Sequence, residues 1–220
     1  MPLGYLWVVA VIAMAPAAGL ADTKPLPQAA PAVASYIDTV RIPAAGGVWH
    51  QISHTALPTQ TVDEYTPVNE SGAAWTQIIT VKTLPLSRDP TPIVQGTVGL
   101  MRDVCAKVNV VNVARSQELG EVAGLDAPLP IFDAADTLVT CRHPDMAALH
   151  KRLGTDRVTL RKFEVTWYKA IRGQKANYIV QRAWHGDEID ETSVLGSDAV
   201  LDGWKTWISR VTLVRSKESK

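Results

Sequence analysis

Apolar positions along this chain change period several times, and each change marks an element. "GGVWHQISHTAL" and "AAWTQIITVKTL" mix β-branched and aromatic residues in partial alternation, which predicts strands over Val48–Ala56 and Ala74–Leu84. The polar, turn-prone "PTQTVDEYTPVNESG" between them reads as a loop. In "RDPTPIVQGTVGLMRDVCAKV" the period becomes helical, with Ile93, Thr97, Leu100, Met101, Val104 and Val108 recurring on one side. Thr91 is the expected cap and Pro92 the first helical residue, while Gly96 and Gly99 each weaken the helix by about 1 kcal/mol.

"VNVVNVARS" returns to a strand through Val108, Val111 and Val113, and "QELGEVAGLDAPLPIFDAAD" has no clear period, so a long irregular connection is expected there. "TLVTC" predicts a short strand ending at Cys141, and Asp145 caps a helical turn, "MAALHKRL", that Gly154 would end. From Val158 the β signal is the strongest in the chain. In "SDAVLDGWKTWISRVTLV" the residues Val200, Leu201, Trp204, Trp207, Ile208 and Val211 form one stripe, with Ser197 or Asp198 as N-cap and Arg210 and Arg215 toward the helix C-terminus.

This order predicts an α+β fold, an antiparallel sheet with helices packed on one face. Its centre is the hairpin "WYKAIRGQKANYIVQRAW". Alternation assigns Phe163, Val165, Trp167, Lys169 and Ile171 to one face, and Glu164, Thr166, Tyr168, Ala170 and Arg172 to the other. A two-residue turn at Gly173-Gln174 would pair Phe163 with Trp184, Trp167 with Val180 and Ile171 with Ala176, making the first face a core face. In that register Lys169 lies opposite Tyr178 and Arg182 opposite Val165, two cations on an apolar side. Trp167, Lys169, Tyr178 and Arg182 therefore either edge the core or line a pocket.

The "W-T-x-I-I-T-V" strand, the helix after it, the late hairpin and the terminal Trp-bearing helix resemble the PsbP/Mog1-type sandwich as an order of elements over Trp49–Val214. "AWTQIITVK", "FEVTWYKAIRG" and "YIVQRAW" also resemble uncharacterised secreted bacterial proteins. Neither resemblance implies a functional residue.

Composition narrows the function classes. The 220 residues balance 22 Lys and Arg against 22 Asp and Glu, so no net field draws the protein toward nucleic acid. Residues 1–21 lack charge, carry an apolar run too short to span a bilayer, and end in "GLA" before Asp22, which predicts a cleaved secretory signal. A Pro/Ala-rich tether over 22–35 and one domain over 36–220 follow. Association with a membrane is expected only if the leader stays uncleaved. In an oxidising compartment Cys105 and Cys141 are expected to pair, with two separate buried thiols as the alternative in a reducing one.

His50 and His54 are spaced to share a strand face and are the candidate metal ligands, with Asp63 or Glu64 as the nearest third donor. Cys141 and His143 could form a nucleophile pair only if the thiol is free. "GDEIDE", Gly186 to Glu191, departs from a calcium loop, and Asn69 begins a glycosylation sequon. The chain contains no GxSxG, GxxxxGK[ST] or GxGxxG motif, and no cofactor is implied. The expectation is an exported, non-enzymatic accessory or binding protein of the bacterial periplasm or cell envelope, acting on a protein partner there. Its alternatives are a small-ligand or metal-binding domain, and a hydrolase whose residues are dispersed in sequence.

Overall fold

The computed structural model describes residues 36–71, 74–111, 113–124, 129–153, 161–187 and 198–217. The leader, the tether, Gly154, Val158, Ser197 and residues 188–191 of the acidic run lie outside them. In chain order the elements are β1 (Tyr36–Arg41), β2 (Trp49–Leu57), β3 (Gln60–Pro67), β4 (Gln77–Pro85), α1 (Thr91–Val104), β5 (Cys105–Val110), β6 (Ala114–Leu119), β7 (Glu121–Val122), β8 (Ile131–Pro144), α2 (Met146–Leu153), β9 (Phe163–Arg172), β10 (Ala176–Gly186), α3 (Asp198–Ser209) and β11 (Thr212–Lys217). Among the described residues, an antiparallel sheet runs β2-β3-β4-β10-β9-β8, with β5 and β6 pairing successive stretches of β8. A smaller sheet has the order β1-β11-β7. No described helix is long and apolar enough to cross a membrane.

Both faces of the large sheet are covered, not one. On the first face, Ile79, Val165, Trp167, Val180 and Trp184 pack with Trp204, Trp207 and Ile208 of α3 and Leu213 of β11. On the second, Val98 and Met101 of α1 meet Val139, Cys141 and Tyr168, and Val94 meets Ala135, Ala170 and Ile179. Cover on both sides is why β9 and β10 are buried almost end to end.

Several local expectations are corrected by long-range pairing. The stretch read as a loop contains β3, whose Asp63 and Glu64 accept hydrogen bonds from Gln51 and Ser53 across the strand pair. Charges that look solvated in the sequence are strand residues with cross-strand donors. The "irregular" connection contains β6 and β7, and β8 extends over 14 residues because β5, β6 and β9 all pair with it. Beyond α3 the chain forms β11, so Arg215 sits on a strand and pairs with Asp38, away from any helix end. Thr91 is not the cap of α1. The Asp89 carboxylate accepts the Thr91 N–H at 2.8 Å, and the helix stops at Val104 where Cys105 becomes extended.

The hairpin keeps the predicted faces but shifts its register by two residues. Arg172 pairs with Asn177, Lys169 with Val180, Trp167 with Arg182 and Val165 with Trp184. The turn is Gln174-Lys175, closed by the Gly173 N–H donating to the Ala176 carbonyl at 2.9 Å. Asp38 decides this position: its Oδ2 accepts the Gln174 N–H at 2.6 Å, and its carbonyl accepts the Tyr178 hydroxyl at 2.7 Å. A Cβ on Gly173 would lie 2.8 Å from the Tyr178 ring and 3.1 Å from Asp38 Oδ2, so glycine is required by close approach.

Lys169 is the most deeply buried cation, 1% exposed. Its Nζ donates to the carbonyls of Val211 at 2.7 Å and Ile208 at 3.1 Å, and it pairs with Glu118 at 2.6 Å. Lys169→Met should therefore cost about 3 to 5 kcal/mol, since a carboxylate and two carbonyls lose their cation. Urea denaturation would measure this, and adding Glu118→Gln should recover part of the loss.

Cys105 and Cys141 form a disulfide that ties the end of α1 to β8 across a sequence separation of 36. Closing a loop of that size is worth about 3 to 4 kcal/mol in the chain-entropy account. Denaturation midpoints with and without reductant should differ accordingly.

Candidate functional site

The site is assembled from α3, β10 and the loop entering β2. In α3, Val200, Trp204, Trp207 and Ile208 recur at helical spacing, which turns both indoles toward the sheet. Gly203 and Thr206 lie beside that stripe and Arg210 follows the end of the helix, all three on the cavity wall. In β10, alternation puts Arg182 between Val180 and Trp184, a position on the core face that its neighbours fill with apolar groups.

The loop before β2 supplies the clasp. Gly46 and Gly47 both have positive φ, 78° and 68°, which allows the backbone to double back and present its carbonyls. Pro43 O accepts the Trp207 Nε1–H at 2.8 Å, Ala45 O accepts Arg182 Nη2 at 3.1 Å, and Gly46 O accepts the Trp49 Nε1–H at 2.7 Å. These parts line a cavity of about 530 Å³ that opens to solvent, with Pro67, Gln77 and Arg210 also on its wall.

Arg182 is 7% exposed and stands over three rings, 4.7 Å from the centroid of Trp204, 5.2 Å from Trp207 and 5.9 Å from Trp49. Cation–π contacts of this kind contribute roughly 0.5–2 kcal/mol each. They do not replace a counter-charge. Among the described residues no carboxylate pairs with Arg182, its Nε has no partner, and burial alone pushes its pKa down to about 10. A guanidinium has five N–H donors, so most of this one's capacity is uncommitted.

The four residues proposed as a pocket share one face of the hairpin, with Trp167 directly opposite Arg182, but do not line one cavity. Arg182 lines the cavity beside α3. Trp167 packs in the core and donates from Nε1 to Asp136 at 3.2 Å. Lys169 is consumed by its two carbonyls and Glu118, and neither stacks on a ring nor opens to a pocket. Tyr178 lines another cavity, of about 350 Å³, with Asp38, Tyr65 and Val81.

His50 and His54 do not share a face. A bulge between Gln51 and Ser53 adds one residue to β2, so His50 pairs with Thr66 and His54 with Asp63. Those partners are an odd number of residues apart on β3, which places the histidines on opposite faces. His54 Nδ1 meets Asp63 at 2.6 Å on an exposed edge, whereas His50 Nδ1 is buried without a partner. Among the described residues no group of three or more His, Cys, Asp or Glu side chains is arranged to hold a metal. The Cys141 sulfur is committed to the disulfide, and His143 packs its ring against Phe163 at 5.6 Å.

A second polar feature lies on the opposite face of the hairpin. Glu164, 3% exposed, accepts the Thr166 hydroxyl at 2.6 Å through Oε1, while Oε2 has no partner among the described residues. Desolvation pushes its pKa up to about 7. His185, directly opposite on β10, stacks on Trp75 at 3.7 Å and donates from Nε2 to the Trp75 carbonyl. Burial lowers its pKa and leaves Nδ1 unpartnered. Alternation placed Glu164 on this face, but only the tertiary cover makes the face dry.

Comparison with known protein families and with curated proteins found no match to this chain.

Glu164 makes stability depend on pH with a definite sign. Its folded pKa of about 7 exceeds the ordinary 4.5, so the native state holds a proton that the unfolded chain has released between those values. Stability from this group is complete below pH 4.5 and falls, by on the order of 3 kcal/mol, as pH rises to about 7. Glu164→Gln should remove that slope. Denaturation of both proteins at several pH values checks it, the difference between the two curves isolating Glu164 from His185.

Proposed function

We propose that this is an exported, non-enzymatic binding protein that holds a small ligand in the cavity between α3 and the large sheet. The observation that carries the reading is a buried arginine with no counter-charge among the described residues, facing a cavity of about 530 Å³ walled by Trp49, Trp204 and Trp207. A concave site with aromatic and apolar walls and a few placed polar groups is the usual composition of a ligand pocket. Among the readings left open by the sequence, which include contact with an envelope partner, metal binding and a dispersed hydrolase, this cavity favours capture of a small ligand.

Export is supported by the charge-free leader together with the Cys105–Cys141 disulfide, which persists in oxidising compartments. Expression of the full chain in a bacterial host should yield an oxidised periplasmic product that begins near Asp22. A full-length, reduced chain retained inside the cell would overturn this part.

For ligand capture the tryptophans are the reporters. A set of small neutral, acidic and basic fragments should include members that shift the indole N–H resonances of Trp49, Trp204 and Trp207 and leave Trp75 unmoved. Fragments that shift none of the three, or move Trp75 equally, would argue against the cavity.

A further inference from the structure

Resting on that binding reading, we infer that the ligand is a monocarboxylic acid with a flat apolar body, its carboxylate on Arg182 and its body against Trp204 and Trp49. Arg182 offers one positive charge on a side chain that the protein covers almost completely at the cavity wall, and the described protein supplies no negative one. Such a charge costs stability when the cavity holds only neutral matter, and an entering anion relieves that cost. Arg182 Nε has no partner and Nη2 gives one of its two N–H groups to Ala45 O, so this edge of the planar guanidinium keeps a donor on each of two adjacent nitrogens, the arrangement that a carboxylate meets with two parallel hydrogen bonds.

The count of charges selects a monoanion. The second cation on the cavity wall, Arg210, is exposed, so solvent screens it and it cannot balance a buried second charge as Arg182 balances the first. A phosphate dianion would leave one charge without a desolvated partner. The walls select the body: indoles and Pro67 offer apolar surface, and among the described side chains on the wall Gln77 and Thr206 add neutral hydrogen-bonding groups.

The same geometry supplies a blocking variant that leaves Arg182 alone. Gly203 faces the cavity from α3, and a Cβ placed there would meet no atom within 4 Å. Gly203→Leu would therefore grow into open space while improving helix propensity.

The test uses the full chain with its disulfide intact and the matched probes phenylacetate, phenylacetamide and benzylphosphonate, read by calorimetry and by the indole resonances. Phenylacetate should bind about ten- to a hundredfold more tightly than phenylacetamide, the margin of a charge-assisted hydrogen bond. Arg182→Met should abolish that preference and melt at the same temperature as the parent or higher, whereas Gly203→Leu should lose binding with the fold intact. Equal binding of acid and amide would overturn the carboxylate assignment while leaving the cavity as a binding site. Tighter binding of benzylphosphonate would transfer the site to dianions. No response of Trp49, Trp204 or Trp207 to any of the three probes would overturn both the assignment and the binding reading. A marked fall in the melting temperature of Arg182→Met, with the acid preference retained, would make the arginine structural.

Discussion

The ammonium of Lys169 holds one side of this molecule together. It sits at the middle of the central hairpin, and its three partners come from the end of α3, the entry to β11 and strand β6. Carbonyls at the C-terminal end of a helix carry partial negative charge and lack intrahelical donors, so a buried cation there satisfies groups that water cannot reach. Because α3 is fixed at that end, its indoles are held over the sheet and β11 is delivered to β1 and β7. A methionine of similar length could fill the volume but could not answer those acceptors.

Arg182, on the same face of the same hairpin, makes the contrast that defines the candidate site. Both cations replace an apolar residue in an otherwise hydrophobic row. Lys169 meets two carbonyls and a carboxylate, whereas Arg182 meets one carbonyl and three aromatic faces. The first arrangement is complete within the described protein; the second has donors left over beside an open volume. Sites that bind charged ligands commonly carry such a debt in the unliganded state, and the stable framework around them is what tolerates it. Here that framework is the disulfide-tied second face, the pair Asp38–Arg215, and the Gly46-Gly47 loop that locks two of the three indoles.

Much of the architecture was legible where the signal is local. The helical stripes in α1 and α3, the capped turn of α2, the alternating runs of β2, β4, β9 and β10, and the division of the hairpin into two faces follow from residue types and spacing. What escaped depends on distant partners. The polar strand β3 is identified by what β2 and β4 offer it, and the long β8 exists because three strands share its edges. The histidine pair was misplaced by a single bulge, since one inserted residue reverses every facing beyond it. Glu164 was visible in the sequence as a face assignment, and its dry surroundings were not.

By itself the sequence determined which side of the hairpin each residue occupies, because strand alternation is a property of the backbone and needs no partner. It also named the only two cysteines available to pair. Only the tertiary structure decided that, among the described residues, Lys169 would be satisfied and Arg182 would keep an unpartnered donor. Their partners lie 42 and 137 positions away, at Val211 and Ala45, and no local pattern records which acceptors the fold brings to a buried charge.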